Sequence, residues 1–267
     1  MTKSEIEHKT FTISRTNAWY IRRANTLIRD SVKVIAKELL PAITAYSGDA
    51  RTFRLNRQTK LKAQERNTQR VRDIMLTYMA QIKRSADKMN KLFGLTPADW
   101  DVEELAAKMQ GDKTMTDYID IQSARAVSEV EVYAALAVKN GYTIPEAEEV
   151  YFNGMDAPHR NRDIAELAFL GYLSLKRTDI LRPRKGGISS AYKSLMRINE
   201  DYMMRTFSMA NAYAWKGLYK YTVTAGDAGV CQVCQDNARM IFPADEFVVP
   251  AHNRCRCIEV PILDYNS

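Results

Sequence analysis

The chain has 267 residues, of which 46% are hydrophobic and 27% charged, a composition that is typical of folded proteins and excludes wholesale disorder. Its formal charge is +7, and it contains no apolar run of the roughly 18 residues that a membrane-spanning helix needs. The first residues lack the apolar core of a secretory signal, so the sequence predicts a protein that is made and kept in the cytoplasm.

Two long helices are predicted for the N-terminal part of the chain. Hydrophobic residues recur at helical spacing across 21–39, and Pro41 favours an end to the first helix at about Leu40. After a loop at 47–49, a second helix is predicted over roughly 54–93, with Gly94 placed to end it. The apolar stripe of this second helix consists of Val71, Ile74, Met75, Tyr78, Met79, Ile82, Met89 and Leu92.

The next helix is predicted to begin at Thr96 and to end at Gly111. Thr96 is a suitable N-cap, Pro97 suits the first helical position, and Asp99 lies where a capping box places an acid. A further helix is predicted over 117–139, because Asn140 and the glycine after it favour a stop there.

Three more helices are predicted before the sequence changes from helical periodicity to short runs typical of β-strands. Two shorter ones begin after Pro145 and at Pro158, and a long one covers about 190–219. The apolar face of the long helix is Leu195, Ile198, Tyr202, Thr206, Met209 and Tyr213. Beyond it, short runs typical of β-strands begin at Tyr221, Met240 and Phe247.

The charge is distributed unevenly along the chain. Residues 1–95 carry 20 Lys/Arg against 8 Asp/Glu, whereas residues 96–150 carry 4 against 12. A basic region of this kind contacts nucleic acid or an acidic protein surface, and a solvated helix face is the alternative. The predicted contact residues are Arg66, Arg70, Lys83 and Arg84 in the second helix, with Arg182, Arg184 and Lys185 in a basic loop.

All four cysteines lie near the C-terminus, which indicates a metal site rather than a disulfide framework. Cys231 and Cys234 form a C-x-x-C turn that places two thiolates on one side of a knuckle. His252, Cys255 and Cys257 follow as a second cluster that completes a tetrahedron around Zn²⁺. The predicted ligands are Cys231, Cys234 and His252, with Cys257 preferred over Cys255 as the fourth. If Cys257 is the fourth ligand, Cys255 is expected to be a buried thiol. The alternative to a metal site is that all four cysteines are simply buried or paired.

The pattern of ligands predicts structural zinc and no enzymatic activity. One histidine and three cysteines fill the coordination sphere, so no position is left for a reacting water. A zinc deaminase needs H-x-E upstream of its cysteines, but His8 and His159 are followed two residues later by Thr10 and Asn161. The sequence also lacks the common hydrolase and nucleotide-binding motifs.

The predicted fold is mainly α, with long helices over the N-terminal two-thirds or more and a small, zinc-stapled, β-rich module at the C-terminus. The predicted regions are a basic helical region at 1–95, a second helical region at 96–219 and the zinc-binding module at 220–267.

The stretch from Arg205 to Pro261 resembles the C-terminal signature of the phage Mu F-like and SPP1 gp7-like head morphogenesis family. The resemblance is carried by Arg205-Thr206-Phe207 with Ala210-Asn211, by Tyr221-Thr with Asp227 and Val230-Cys231-Gln-Val-Cys234, and by His252-Asn-Arg-Cys255-Arg-Cys257 with Pro261. Tyr221, Phe207 and Asn253 stand where the family has tryptophan, an acid and proline, and the potential ligands are intact.

The resemblance implies a minor head protein, a structural virion component that associates with the portal protein or the major capsid protein during procapsid assembly. It implies a location in the virion head, and in the host cytoplasm during assembly. The basic residues predict double-stranded DNA as a further contact, and neither a membrane partner nor a small-molecule substrate is expected from the sequence. The alternative is a zinc-containing DNA-binding protein that acts in packaging or regulation.

Overall fold

The computed structural model describes residues 1–48, 54–97, 99–143, 145–146, 191–224, 232–238, 240–246 and 257–263. Helix accounts for 72% of the described residues, which confirms the prediction of a mainly α fold. The helices are α1 (Lys3–Thr44), α2 (Arg57–Leu92), α3 (Val102–Ala107), α4 (Met115–Lys139), α5 (Ala191–Ala214) and α6 (Gln232–Asn237), and the strands are β1 (Tyr219–Val223), β2 (Ile241–Pro243) and β3 (Ile258–Ile262). Within these ranges no helix is both long and apolar enough to cross a bilayer.

Contacts group the chain into two compact units, each built from segments that are distant in sequence. Unit 1 contains residues 1–26, 73–115 and 197–267, and unit 2 contains residues 27–72 and 116–196. The predicted boundaries at 95 and 219 divide the chain along its sequence, and they stay a prediction.

The core of unit 1 is formed by the first part of α1, the second part of α2 and most of α5. Side chains that are almost completely buried there are Ile6, Ala24, Met75, Met79, Ile82, Ala86, Met89, Tyr202, Met203, Ala210 and Trp215. Polar groups are buried with them: Asn90 Oδ1 accepts a hydrogen bond from Trp215 Nε1 at 2.7 Å, and Asn90 Nδ2 donates to Asn211 Oδ1 at 3.3 Å. These bonds connect the end of α2 to the end of α5 inside the unit.

The core of unit 2 joins the second part of α1, the first part of α2 and α4. Its buried side chains include Ile28, Val32, Ile35, Leu39, Ala63, Val71, Ile119, Ala126 and Val130. Two buried acids lie among them. Glu131 accepts hydrogen bonds from the Leu55 amide and from Lys60, and Glu129 accepts from the Ala191 amide at 3.1 Å. Each carboxylate therefore bonds to the backbone within two residues of the start of a long helix.

Helix α1 begins with a capping box that the sequence analysis did not identify. The Thr2 amide donates to Glu5 Oε2 at 2.7 Å, and the Glu5 amide donates to Thr2 Oγ1 at 3.3 Å. The hydrogen bond from the Thr2 backbone, more than any other contact, lowers the pKa of the Glu5 carboxyl.

The predicted end of α1 before Pro41 is wrong, since the helix continues to Thr44. Proline in a helix interior costs about 3 kcal/mol, chiefly through a lost backbone bond and a steric clash. Full burial of an isoleucine contributes roughly 1.5–3 kcal/mol, and Ile43 in the turn after the proline is only 2% exposed. Packing of the apolar stripe therefore offsets the proline, and the Ala45 amide still bonds to the Pro41 carbonyl at 3.1 Å.

Helix α2 and its stop are confirmed. Gly94 has φ +76°, the Leu95 amide bonds to the Asn90 carbonyl at 2.9 Å, and the Gly94 amide bonds to the Lys91 carbonyl at 3.1 Å, which together form a Schellman motif. One member of the predicted stripe is wrong: Leu92 is 60% exposed. The stripe continues instead from Met89 to Phe93, four residues on, which is 9% exposed.

The helix predicted over 96–111 is shorter than expected and begins elsewhere. It is α3, whose N-cap is Asp101, and its side chain accepts from the Glu103 amide at 3.1 Å. Trp100, directly before the cap, is 8% exposed, and the backbone of the cap residue itself is extended, with φ −101° and ψ 143°. The helix predicted over 117–139 is confirmed as α4, followed by Gly141 with φ +82°.

The predicted helix over 190–219 is confirmed as α5, but it ends five residues early, at Ala214. Gly217, with φ +81°, turns the chain, and Tyr219 begins β1. One residue of its predicted apolar face is wrong, because Tyr213 is 47% exposed and contacts Trp100, with 6.3 Å between ring centroids. The helix predicted after Pro145 lies outside the described residues beyond Glu146, and so do the whole of the helix predicted at Pro158 and the strand predicted at Phe247.

The three strands form one antiparallel sheet in the order β2-β1-β3. This sheet confirms the prediction of a small β-structure near the C-terminus. Strand β3 was not predicted, because Pro261 lies inside it. Pro261 pairs with Lys220 on an edge strand, which is where a proline without an amide hydrogen is tolerated.

Candidate metal centre and cationic surfaces

Two of the predicted zinc ligands, Cys234 and Cys257, lie at the same end of the central strand β1. Cys257 directly precedes β3, whose first residue, Ile258, pairs with Val223. Cys234 lies in α6, and Ala238, just after that helix, forms a parallel bridge to Thr222. Both cysteines are almost fully buried, at 4% and 6% exposed. The fold therefore places Cys257 next to the last residue of β1 and places α6, which contains Cys234, beside the same end of that strand.

Cys231, His252 and Cys255 lie outside the described residues. The described part of the chain contains no group of three His, Cys, Asp or Glu side chains that could hold a metal. Because only two of the five candidate ligands belong to that part, the zinc site stays a prediction. Cys234, the second cysteine of the predicted C-x-x-C turn, lies in helix α6.

A buried ion pair lies on one face of the same sheet. Lys220 and Glu259 are 1% and 2% exposed, and Lys220 Nζ is 2.8 Å from Glu259 Oε1. Lys220 also donates to the Glu246 carbonyl, and Thr222 Oγ1 donates to the Asn237 carbonyl. These bonds hold the segment around α6 and the turn after β2 against the sheet.

Four of the five residues of α5 that carry the family resemblance are packing residues, and the fifth, Arg205, pairs with Asp201 on the same helix at 2.7 Å. Thr206, Phe207, Ala210 and Asn211 are all buried, and Thr206 Oγ1 bonds to a backbone carbonyl one turn earlier at 2.7 Å. Tyr221, which stands at the tryptophan position of the signature, is 7% exposed and donates to Glu7 Oε1 at 2.6 Å. The described part of the signature therefore belongs to one unit, in which α5 and the sheet share a core with α1.

The predicted contact residues Arg66 and Arg70 lie in unit 2 and face an acid. Arg66 Nη1 and Arg70 Nη2 are 3.7 Å and 3.6 Å from the two carboxylate oxygens of Glu38. Arg70 also donates to the Ser31 carbonyl at 3.4 Å. One carboxylate thus neutralises part of the charge that these arginines would offer to a partner.

Lys83 and Arg84 lie in unit 1 along a cleft of about 430 Å³ that is also lined by Trp100, Asp101 and Glu104. Lys83 Nζ is 2.9 Å from Asp87 Oδ2 and 5.6 Å from the centre of the Trp100 ring. Lys83 is therefore engaged within the protein, whereas Arg84 is exposed. Acids on the opposite wall of the cleft reduce its attraction for a polyanion.

Arg182, Arg184 and Lys185 lie outside the described residues, so the predicted contact of the basic loop stays a prediction. The sequence analysis missed another basic surface, on the first half of α1. Arg15, Trp19, Arg22 and Arg23 are exposed there, in a stretch from residue 8 to residue 29 that contains no Asp or Glu. That acid-free run was the signal, and apolar periodicity alone did not reveal it.

No protein family, curated protein or solved structure matches this chain. The family resemblance therefore rests on the signature residues themselves.

Proposed function

We propose that the protein is a minor head protein of a tailed phage, a structural component that joins the procapsid and has no enzymatic role. The observation that carries the proposal is the pairing of Cys231-Gln-Val-Cys234 with His252-Asn-Arg-Cys255-Arg-Cys257 after the helix that contains Asn211. The burial of Cys234, Cys257 and Asn211 within one unit supports it, since a shared signature is expected to encode a shared structural module.

The proposed module contains one structural zinc ion. Cys231, Cys234, His252 and Cys257 would hold it, and Cys255 would be left outside the coordination sphere. Cys234 and Cys257 fit this role because both are buried at one end of β1, where a metal would join α6 to the start of β3. Such a sheet is too small to bury a core of its own, so metal binding would supply much of the folding free energy of the module.

The proposed partners are the portal protein and the major capsid protein, and the proposed location is the virion head, with the host cytoplasm during assembly. Long helices with strongly uneven charge support a docking role, since they present extended surfaces of one sign to other subunits. A second candidate function is DNA binding in packaging or regulation, which the basic composition of residues 1–95 favours.

Deletion of the gene from the phage or prophage that encodes it tests the proposal. Particles without the protein should package or infect poorly, and expression of the intact chain in trans should restore them. A Cys231→Ser chain should fail to restore infectivity, whereas a Cys255→Ser chain should succeed. If the particles assemble, package and infect normally without the protein, the head-protein proposal is wrong and the DNA-binding alternative is favoured.

A further inference from the structure

One face of α1 in unit 1 carries an exposed tryptophan between arginines. Trp19 is 54% exposed, and Arg15, Arg22 and Arg23 are exposed one turn before it and one turn after it. At 1.5 Å of rise per residue, the three arginines extend over about 12 Å of helix with the indole near the middle. We call these four residues the α1 stripe.

The charge of the α1 stripe is not neutralised by nearby acids. The stretch from residue 8 to residue 29 has no Asp or Glu, and within the described ranges Arg15, Arg22 and Arg23 form no ion pair. Arg66 and Arg70 differ in this respect, because both face Glu38. The stripe is therefore a described surface on which positive charge is available to a partner.

The indole ring of Trp19 is held in place by a contact with the neighbouring ring of Tyr20. Its ring meets that of Tyr20 edge to face, with centroids 5.2 Å apart and planes at 69°. Tyr20 in turn lies against Tyr78 of α2, with 6.2 Å between centroids. A braced ring loses little side-chain entropy on binding, which favours its use as a stacking platform.

We infer that the α1 stripe binds single-stranded nucleic acid, with a base stacked on Trp19 and the adjacent phosphates bound by the arginines. A single strand supplies a flat aromatic surface and a negative charge with every nucleotide, and it thus matches both parts of the stripe. A duplex conceals its base faces and would leave the indole without a partner. An acidic protein would satisfy the arginines but would need a separate pocket for the ring.

This inference goes beyond the proposed function and depends neither on the zinc nor on a location in the virion. Its test uses tryptophan fluorescence of the full chain, because the other two tryptophans, Trp100 and Trp215, are 8% and 0% exposed. The probes are a 20-nucleotide oligo-dT, a 20-nucleotide oligo-rU, a 20-base-pair duplex and poly-L-glutamate.

Oligo-dT or oligo-rU should quench the fluorescence, and which of them binds more tightly distinguishes DNA from RNA. The logarithm of the affinity should fall with the logarithm of salt concentration at a slope near −2, about −0.7 for each of three neutralised phosphates. Trp19→Leu should abolish the quenching and weaken binding about 5- to 100-fold, as expected for one lost base stack. Trp19→Phe, measured by competition, should keep part of that affinity because a stacking ring remains.

A matched pair of triple variants separates position from net charge. R15Q/R22Q/R23Q should weaken binding at least 10-fold, whereas K88Q/K91Q/K216Q, which removes three exposed charges elsewhere in unit 1, should weaken it less than about 3-fold. Equal losses in the two variants would overturn the inference, and so would tighter binding of the duplex. Equally tight binding of poly-L-glutamate without quenching would assign the stripe to an acidic protein.

Discussion

At the scale of single residues, the most unusual feature is the ion pair inside the small sheet. Lys220 and Glu259 are both almost fully buried, and an uncompensated charge in such a place costs several kcal/mol. The pair joins β1 to β3, and Lys220 also bonds to the Glu246 carbonyl beyond β2. One lysine therefore links all three parts of the sheet.

Lys220→Met should lower the free energy of unfolding by about 3–5 kcal/mol, because it removes the ammonium group 2.8 Å from the buried Glu259 carboxylate. K220M/E259M should recover part of that loss, since both charges of the pair are then removed together. Urea unfolding of the full chain measures both effects. Lys216→Met is the control, because Lys216 is exposed nearby and its removal should change stability by less than about 0.5 kcal/mol. A loss below 1 kcal/mol in K220M would show that the pair does not stabilise the sheet.

Residue burial was predicted well only for apolar side chains within long helices. Met75, Met79, Ile82 and Met89 are all buried as the α2 stripe required. The buried asparagines were not predicted: Asn90 and Asn211 are completely buried, and their bonding partners lie more than 100 residues away. Helical periodicity measures hydrophobicity along one element, so it contains no information about a hydrogen bond between two elements.

At the scale of elements, helix bodies were predicted better than helix ends. The body of a helix follows from the summed apolar pattern of many residues, whereas its end depends on one or two local competitions. Helix α1 continues past Pro41 because burial of Ile43 offsets the cost of the proline. The N-cap of α3 is Asp101 and not the predicted Thr96. Gly94 stopped α2 as predicted, because its positive φ is a backbone requirement that few other residues meet.

The cap of α3 gives a direct test of these competing signals. Asp101→Ala should destabilise the protein by about 1 kcal/mol, because the Glu103 amide loses the side chain that it bonds to. Asp101→Asn should retain most of the stability, since the amide oxygen can accept the same bond. Thr96→Ala should cost less than about 0.5 kcal/mol, as expected of an exposed residue without a capping role. A larger loss in T96A than in D101A, measured by urea unfolding, would place the cap where the sequence analysis expected it.

At the scale of the whole molecule, the fold class was predicted and the spatial grouping was not. The long helices follow from the spacing of hydrophobic residues, and the small C-terminal sheet follows from the short β-like runs after Tyr219. The two units each combine segments that are far apart in sequence, and no local pattern encodes which half of α1 or α2 belongs to which unit. The same limit applies to Cys234 and Cys257, whose approach to one end of β1 depends on strand register.

If the C-terminal signature forms a zinc-stapled module of a head protein, as proposed, the purified full chain must contain zinc. The intact protein, prepared under reducing conditions, should contain about one zinc per chain. Cys231→Ser and Cys234→Ser should each lose it, because three remaining ligands leave the tetrahedron open, while Cys255→Ser should retain it. An intact chain that takes up no zinc on reconstitution, or stoichiometric zinc in both Cys231→Ser and Cys234→Ser, would show that these cysteines do not form the proposed zinc site.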